Sequence, residues 1–258
     1  MPMAENQVIL QIKNLKKSFP GKNGEVLAVN DVSFDVYDNE FLVLLGPGQC
    51  GKTVLLNMIA GLIEPDEGEI ILNGKPVSGH DPKIGMVLQR TALMPWKTVM
   101  SNVEIGPKWR GVGKEERRAY AQKFIDLVGL TGFEKSFPAQ LSGGMKQRVG
   151  IARAYANDPE ILIMDEPFGA LDAQTRYAME EEVAQIWEKQ KRTVIFVTNN
   201  IEEACFLGDR IILFSNRPAT IKEIYPNEMA RPRDMISEKF MKLRTSISDN
   251  TDLAIDTL

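Results

Sequence analysis

The run Phe41-Leu-Val-Leu-Leu45, followed at once by Gly46-Pro-Gly-Gln-Cys-Gly-Lys-Thr53, restricts this chain more than any other feature. Five consecutive apolar residues read as a strand buried on both faces, as in a parallel sheet covered by helices. The turn fits G-x-x-x-x-G-K-[ST], and a helix is expected from about Lys52 to Ala60, which supplies the strand, loop and helix context the motif requires. Glycines let successive backbone N–H groups point inward, and a helix N-terminus adds partial positive charge. The nucleotide-binding residues are therefore expected to be Gly46, Pro47, Gly48, Gln49, Cys50, Gly51, Lys52, Thr53 and Val54. Lys52 is placed to reach the β and γ phosphates of ATP, and the Thr53 hydroxyl to ligate Mg2+, a hard cation that prefers oxygen.

Around this loop the pattern is that of an α/β protein. Apolar and polar residues alternate over Val8 to Ile12 and Val32 to Val36, which suggests an antiparallel opening layer. Short apolar strands recur at Glu69 to Leu72, Ile84 to Leu88, Ile161 to Met164, Thr193 to Val197 and Arg210 to Phe214. Between about Thr91 and Asn157 the strand signal disappears, while Lys114 to Val128 and Met145 to Ala156 carry helical spacing. The expected fold is a P-loop NTPase core with a mostly parallel sheet, an N-terminal antiparallel β layer and an inserted α-helical subdomain at about 91–157. Residues 1–230 form the expected ATPase domain and 231–258 a polar tail, with a short helix expected at Ser237 to Ser246.

Composition narrows the class of function. A net charge of −4 argues against broad electrostatic capture of nucleic acid. The longest apolar runs fall well short of the roughly 20 residues needed to cross a bilayer. The N-terminus lacks a basic start followed by an apolar stretch, so a cytoplasmic chain is expected. Cys50 and Cys205 lie far apart without metal-ligand spacing and are expected as free thiols.

Two further motifs carry chemistry. Ile161-Leu-Ile-Met-Asp165-Glu166 sets adjacent carboxylates at the end of an apolar strand, where a parallel sheet opens its ligand crevice. Asp165 is expected to hold the Mg2+ shell and Glu166 to polarise an attacking water. Leu141-Ser-Gly-Gly-Met145 is a second glycine pair opening a helix, read either as an anion site or as a helix cap.

The order of phosphate loop, Gln89, LSGGM, Asp-Glu strand and Gly169-Ala-Leu-Asp172 resembles the ABC transporter ATPases, over roughly Val8 to Ile224. The resemblance implies that Ser142, Gly143 and Gly144 of one subunit close over ATP held by a second ATPase subunit, a copy or a paralogue. It puts Asp172 at the dimer seam, stacks Phe19 on adenine, and gives Gln89 contact with Mg2+ or water and with a permease. The segment from Gln89 through Leu93 and Pro95 to Trp96 would line the groove for a cytoplasmic helix of an integral membrane permease. The chain would then sit peripherally on the cytoplasmic face of the membrane. Ala92 to Val99, Asn216-Arg-Pro-Ala219 and Ala230-Arg-Pro-Arg233 look like the nitrate, sulfonate and taurine import branch, whose external binding protein would be an indirect partner.

Departures from that pattern matter as much. Asn199 stands where the family places a histidine against the γ-phosphate, and the only histidine is His80. Asparagine donates a hydrogen bond but carries no charge, so turnover is expected to fall on the order of 10²-fold. Gly48-Gln49 replaces Ser-Gly, and Gln49 restricts a position where glycine is preferred. Two alternatives stand beside the active pump: a degenerate ATP-binding subunit paired with an active paralogue, and a soluble ABC ATPase without a permease. Lys52 and the helix N-terminus are also expected to favour the Cys50 thiolate, with alkylation sensitive to ATP.

Overall fold

The computed structural model describes residues 7–22, 24–89 and 91–250. In chain order its elements are β1 (Val8–Gly21), β2 (Gly24–Tyr37), β3 (Phe41–Leu45), α1 (Lys52–Ile59), β4 (Glu67–Leu72), β5 (Lys75–Pro76) and β6 (Ile84–Val87). There follow α2 (Val99–Val103), α3 (Ile105–Trp109), α4 (Lys114–Leu127), a 3-10 turn at Pro138–Gln140, α5 (Gly143–Ala156), β7 (Ile161–Asp165) and α6 (Ala173–Lys189). The chain closes with β8 (Thr193–Thr198), α7 (Ile201–Leu207), β9 (Arg210–Phe214), β10 (Ile221–Pro226) and α8 (Glu238–Asn250). Two compact units result: Met1–Asp81 together with Arg192–Leu258, and Pro82–Lys191.

In the first unit β1 pairs antiparallel with β2, as the alternating sequence predicts, and with β4 on its other side. Both opening strands run to 14 residues because register shifts absorb the break in alternation after Ile12, with Asn14 and Asp31 in left-handed conformations. The five apolar residues of β3 are all buried, and the strand runs parallel to β8 and to β9. Each such side chain contributes about 1.5–3 kcal/mol of burial. Leu45 pairs with Thr198, so the phosphate loop and the turn after β8 leave neighbouring strands side by side. β10 adds antiparallel to β9.

In the second unit β6 and β7 are parallel, from Ile84 opposite Ile161 to Val87 opposite Met164. Gln89 and Asp165-Glu166 therefore follow or end paired strands, pointing the same way. Helices α4 and α5 pack together, with the buried Phe124 and Tyr155 rings 6.0 Å apart. The chain is a P-loop NTPase core with a mostly parallel sheet, an antiparallel N-terminal β layer and a helical insertion. Among the described residues no helix is long and apolar enough to cross a membrane.

Candidate functional site

Gly46 to Thr53 leaves β3 and turns into α1 under strict backbone constraints. Gly51 has φ +125°, and a Cβ there would stand 2.3 Å from the carbonyl oxygen of Ala28. Only glycine fits such a position. The loop wraps around its own lysine: Lys52 is 3% exposed, and its Nζ donates to the carbonyls of Gly46 at 2.6 Å and Pro47 at 2.7 Å. No side chain caps α1, whose N-cap is Gly51, so the helix N-terminus is left for an anion. Thr53 is exposed in the first turn and Val54 is half-buried.

The two substitutions in the loop have different consequences. A Cβ at Gly48 would meet open space, so the absent serine leaves room there. Gln49 is exposed and carries φ +61°, the conformation that the sequence flagged as glycine's. Cys50 is 2% exposed, with Lys52 Nζ 3.8 Å from its Sγ. Reagents therefore reach this thiol only when the loop opens, and the expected sensitivity of its alkylation to ATP is a matter of that opening. Phe19 lies near the end of β1, half-buried, paired with Val26 and with Lys17 Nζ 5.7 Å from its ring centre.

The turn after β8 is held tightly around one exposed residue. Thr198 Oγ1 donates to the buried Glu203 at 2.5 Å and accepts from the Asn200 N–H at 3.0 Å. The Asn200 side chain caps α7 by accepting from the N–H groups of Glu202 and Glu203. Asparagine is among the strongest N-cap residues, so α7 is well closed at its start. Asn199 is exposed, and the Thr198 carbonyl accepts from Gly46 N–H at 3.4 Å. The Asn-Ile-Glu-Glu sequence carried the capping signal that a reading for phosphate ligands passes over.

In the second unit, Asp165 is 9% exposed at the end of β7 and Glu166 adopts φ +41°, turning the chain sharply. A Cβ added to Gly169 would be 3.1 Å from Gln89 Nε2 and 3.8 Å from Glu166 Oε2. The amide and the carboxylate, far apart in sequence, therefore converge over this glycine, an arrangement suited to orienting a water. Among the described residues no group of three or more His, Cys, Asp or Glu side chains could hold a metal by itself. Mg2+ fits that donor set, because it binds through one or two protein oxygens plus phosphates.

The second glycine pair and Asp172 also come together. Ser142 caps α5, its Oγ accepting from Met145 N–H at 3.2 Å. Thr175 Cγ2 stands 3.0 Å from where a Gly144 Cβ would be, and Leu171 packs beside Gly143. Asp172 caps α6, accepting from Thr175 N–H at 3.0 Å and from its hydroxyl at 2.7 Å. The Thr175 N–H holds the Asp172 carboxyl below the usual range, so this cap is lost only as pH falls through that lowered value.

The segment before α2 is pinned by residues the sequence did not single out. Asn102, 1% exposed, accepts from Met94 N–H at 2.9 Å and points its amide at the carbonyls of Met94, Lys97 and Thr98. Arg153 donates to the carbonyls of Thr91 at 2.7 Å and Ala92 at 2.9 Å, and burial lowers its pKa. On this staple Leu93 is half-buried, Pro95 is exposed and Trp96 is 73% exposed. A fixed backbone presenting an exposed indole suits a docking contact.

Comparison with known proteins adds an independent line. The family model described as ABC transporter matches residues 29–169. An uncharacterised ABC transporter ATP-binding protein of Methanocaldococcus jannaschii is 50% identical over 241 residues, covering 93% of this chain and 90% of that protein. A taurine import ATP-binding protein of Roseobacter denitrificans is 45% identical over 84% of this chain and 81% of its own. An aliphatic sulfonates import ATP-binding protein of Bacillus thuringiensis is 39% identical over 92% and 94%. A solved ATP-binding cassette, dimeric in a post-hydrolysis state with ADP and Pi, superposes with a TM-score of 0.75 at 31% identity, covering 86% of this chain and all of that one.

Proposed function

The chain belongs to the ABC transporter family, as an ATP-binding protein of the branch that holds the taurine and sulfonate import proteins, and from that premise we propose that it hydrolyses ATP to drive a separate membrane permease. The observation that carries the proposal is the loop closed around Lys52, whose Nζ rests on two carbonyls until phosphate oxygens replace them. Phe19 takes the adenine, Lys52 and the loop N–H groups take the phosphates, and Thr53, Asp165 and Gln89 hold Mg2+, which supplies charge neutralisation at the phosphates when bound. Glu166 acts as the base toward water, Gln89 orients that water, and Asn199 donates a hydrogen bond to the γ-phosphate.

Two such subunits dimerise around ATP, with Ser142, Gly143, Gly144 and Asp172 of one facing the nucleotide of the other. The segment from Gln89 to Trp96, held at Thr91, Ala92 and Met94, docks a cytoplasmic helix of the permease, which places the subunit peripherally on the membrane's inner face. A small anion such as nitrate, a sulfonate or taurine is the proposed cargo, delivered by an external binding protein. Residues 1–230 are the proposed ATPase domain, with 91–157 as its helical insert and 231–258 following it.

The second reading, a degenerate ATP-binding subunit paired with an active paralogue, draws on Asn199 and on the left-handed Gln49. Steady-state ATP hydrolysis by the purified chain and its Asn199→His variant separates the two. The expected outcome is measurable turnover in the parent, rising on the order of 10²-fold in the variant. A parent without turnover, rescued by the histidine, replaces the first reading with the second.

A further inference from the structure

Helix α7, at seven residues, is too short to be stable alone, and the segment after β10 holds it at both ends. At its C-terminal end Asn227 Nδ2 donates to the carbonyls of Cys205 and Gly208, each at 2.9 Å. Arg233 Nη1 donates to Phe206 O at 2.8 Å, and Arg231 Nη2 to Leu207 O at 2.5 Å. Four carbonyls that a helix end leaves orphaned are thus taken by side chains, two of them cations at the negative pole of the helix. Asp209 Oδ1 balances Arg231 at 2.5 Å and Arg233 at 3.2 Å, while its Oδ2 accepts from Phe41 N–H at the start of β3. Burial pulls the Arg233 pKa down to about 10, which leaves it charged at neutral pH.

At the other end, Arg244 of α8 pairs with Glu202 in the first turn of α7 at 3.1 Å. Phe240 and Ile247 bury the apolar face of α8, which packs on α7. Asn199 immediately precedes the cap of α7. Glu203, inside that helix, is bonded to Thr198, whose carbonyl in turn meets the first residue of the phosphate loop. A shift of α7 along its axis must therefore move Thr198, Asn199 and Asn200 against Gly46.

We propose that residues 227–250 form a clamp on α7 that fixes Asn199 beside the phosphate loop, with Arg231, Arg233 and Arg244 as positioning residues for ATP hydrolysis. The proposal rests on the ATPase reading above. Arg244, with its side chain 42% exposed, is the handle that can be removed without emptying the core. The test compares ATP hydrolysis, ATP affinity and Tm of the full chain among the parent, Arg244→Ala and Arg244→Lys, each also with Asn199→Ala.

The expected result is a kcat about fivefold lower in Arg244→Ala with KM for ATP within about twofold, largely restored by Arg244→Lys. In the Asn199→Ala background the same change should cost less than about 1.5-fold, because a residue acting through Asn199 has nothing left to position. Equal losses in both backgrounds overturn the clamp, as does a lowered Tm with kcat unchanged. An active parent with such additive losses removes the clamp alone. A parent that neither binds nor hydrolyses ATP removes the ATPase reading and the clamp with it.

Discussion

The two glycine-opened helices, α1 and α5, present opposite solutions at their N-termini. Helix α1 starts at Gly51 with no side-chain cap, and the fold itself forbids any other residue there. Helix α5 is closed by its own Ser142, and a Cβ at Gly143 would make only ordinary contact, 3.5 Å from Leu171. The first is left without a side-chain cap, as the proposed anion socket requires; the second is a self-satisfied cap that a ligand must compete with. Glycine in the loop is thus demanded by folding, whereas Gly143 is free to be demanded by function.

Removing the lysine should separate the helices most. Lys52→Ala is expected to weaken ATP binding by about 10²-fold, since charge-assisted bonds to phosphate are lost, while the two loop carbonyls that lose their donor lower the stability of the empty loop instead. Titration with a fluorescent ATP analogue measures it; affinity within threefold of the parent would mean that the loop is not the socket.

The glycines give the next effect, in stability. Gly51→Ala forces a side chain into φ +125° and against Ala28, at a cost of about 3 kcal/mol or more, roughly 6–12 °C in Tm. Gly143→Ala should change Tm by less than about 2 °C, alanine being the better helix former. Equal melting of the two variants would erase the contrast. If Gly143→Ala nonetheless abolishes hydrolysis, its role lies in the proposed contact with a second subunit.

What the sequence displays depends on range. Strand β3, the loop and α1 are contiguous, so spacing and turn chemistry express them within 19 residues, Phe41 to Ile59. The convergence of Gln89 and Glu166 over Gly169 was reachable only through the family pattern, because no local period links them. Asn102 and Arg153 carry no signal of either kind, and Arg233 belongs to the Ala230–Arg233 pattern without any sign there that it is buried. Each is a polar residue, two buried and Arg153 half-buried, whose place depends on carbonyls exposed by a turn or helix end, and polar residues read as solvated until that partner is in place. Cys50 differs: its place in the loop is legible, but its burial depends on how the loop folds around it.

Ser142→Ala sharpens the comparison on the α5 side. Loss of the cap should cost about 1 kcal/mol, or roughly 2–4 °C, while ATP affinity of the isolated chain stays within twofold. A matching loss of affinity would mean that Ser142 serves the loop of its own chain.

The smallest effect belongs to Gln49, and its sign is the informative part. A left-handed glutamine costs about 1–2 kcal/mol relative to glycine in the folded loop, while glycine returns part of this by loosening the unfolded chain. Gln49→Gly should therefore raise Tm by roughly 1–3 °C. Since the residue is exposed, packing contributes little in either direction. A gain in stability with unchanged ATP affinity would make Gln49 a strained but harmless replacement in an open socket. A loss of stability would mean that the glutamine side chain holds the loop in place, and α1 would then have a cap of its own after all.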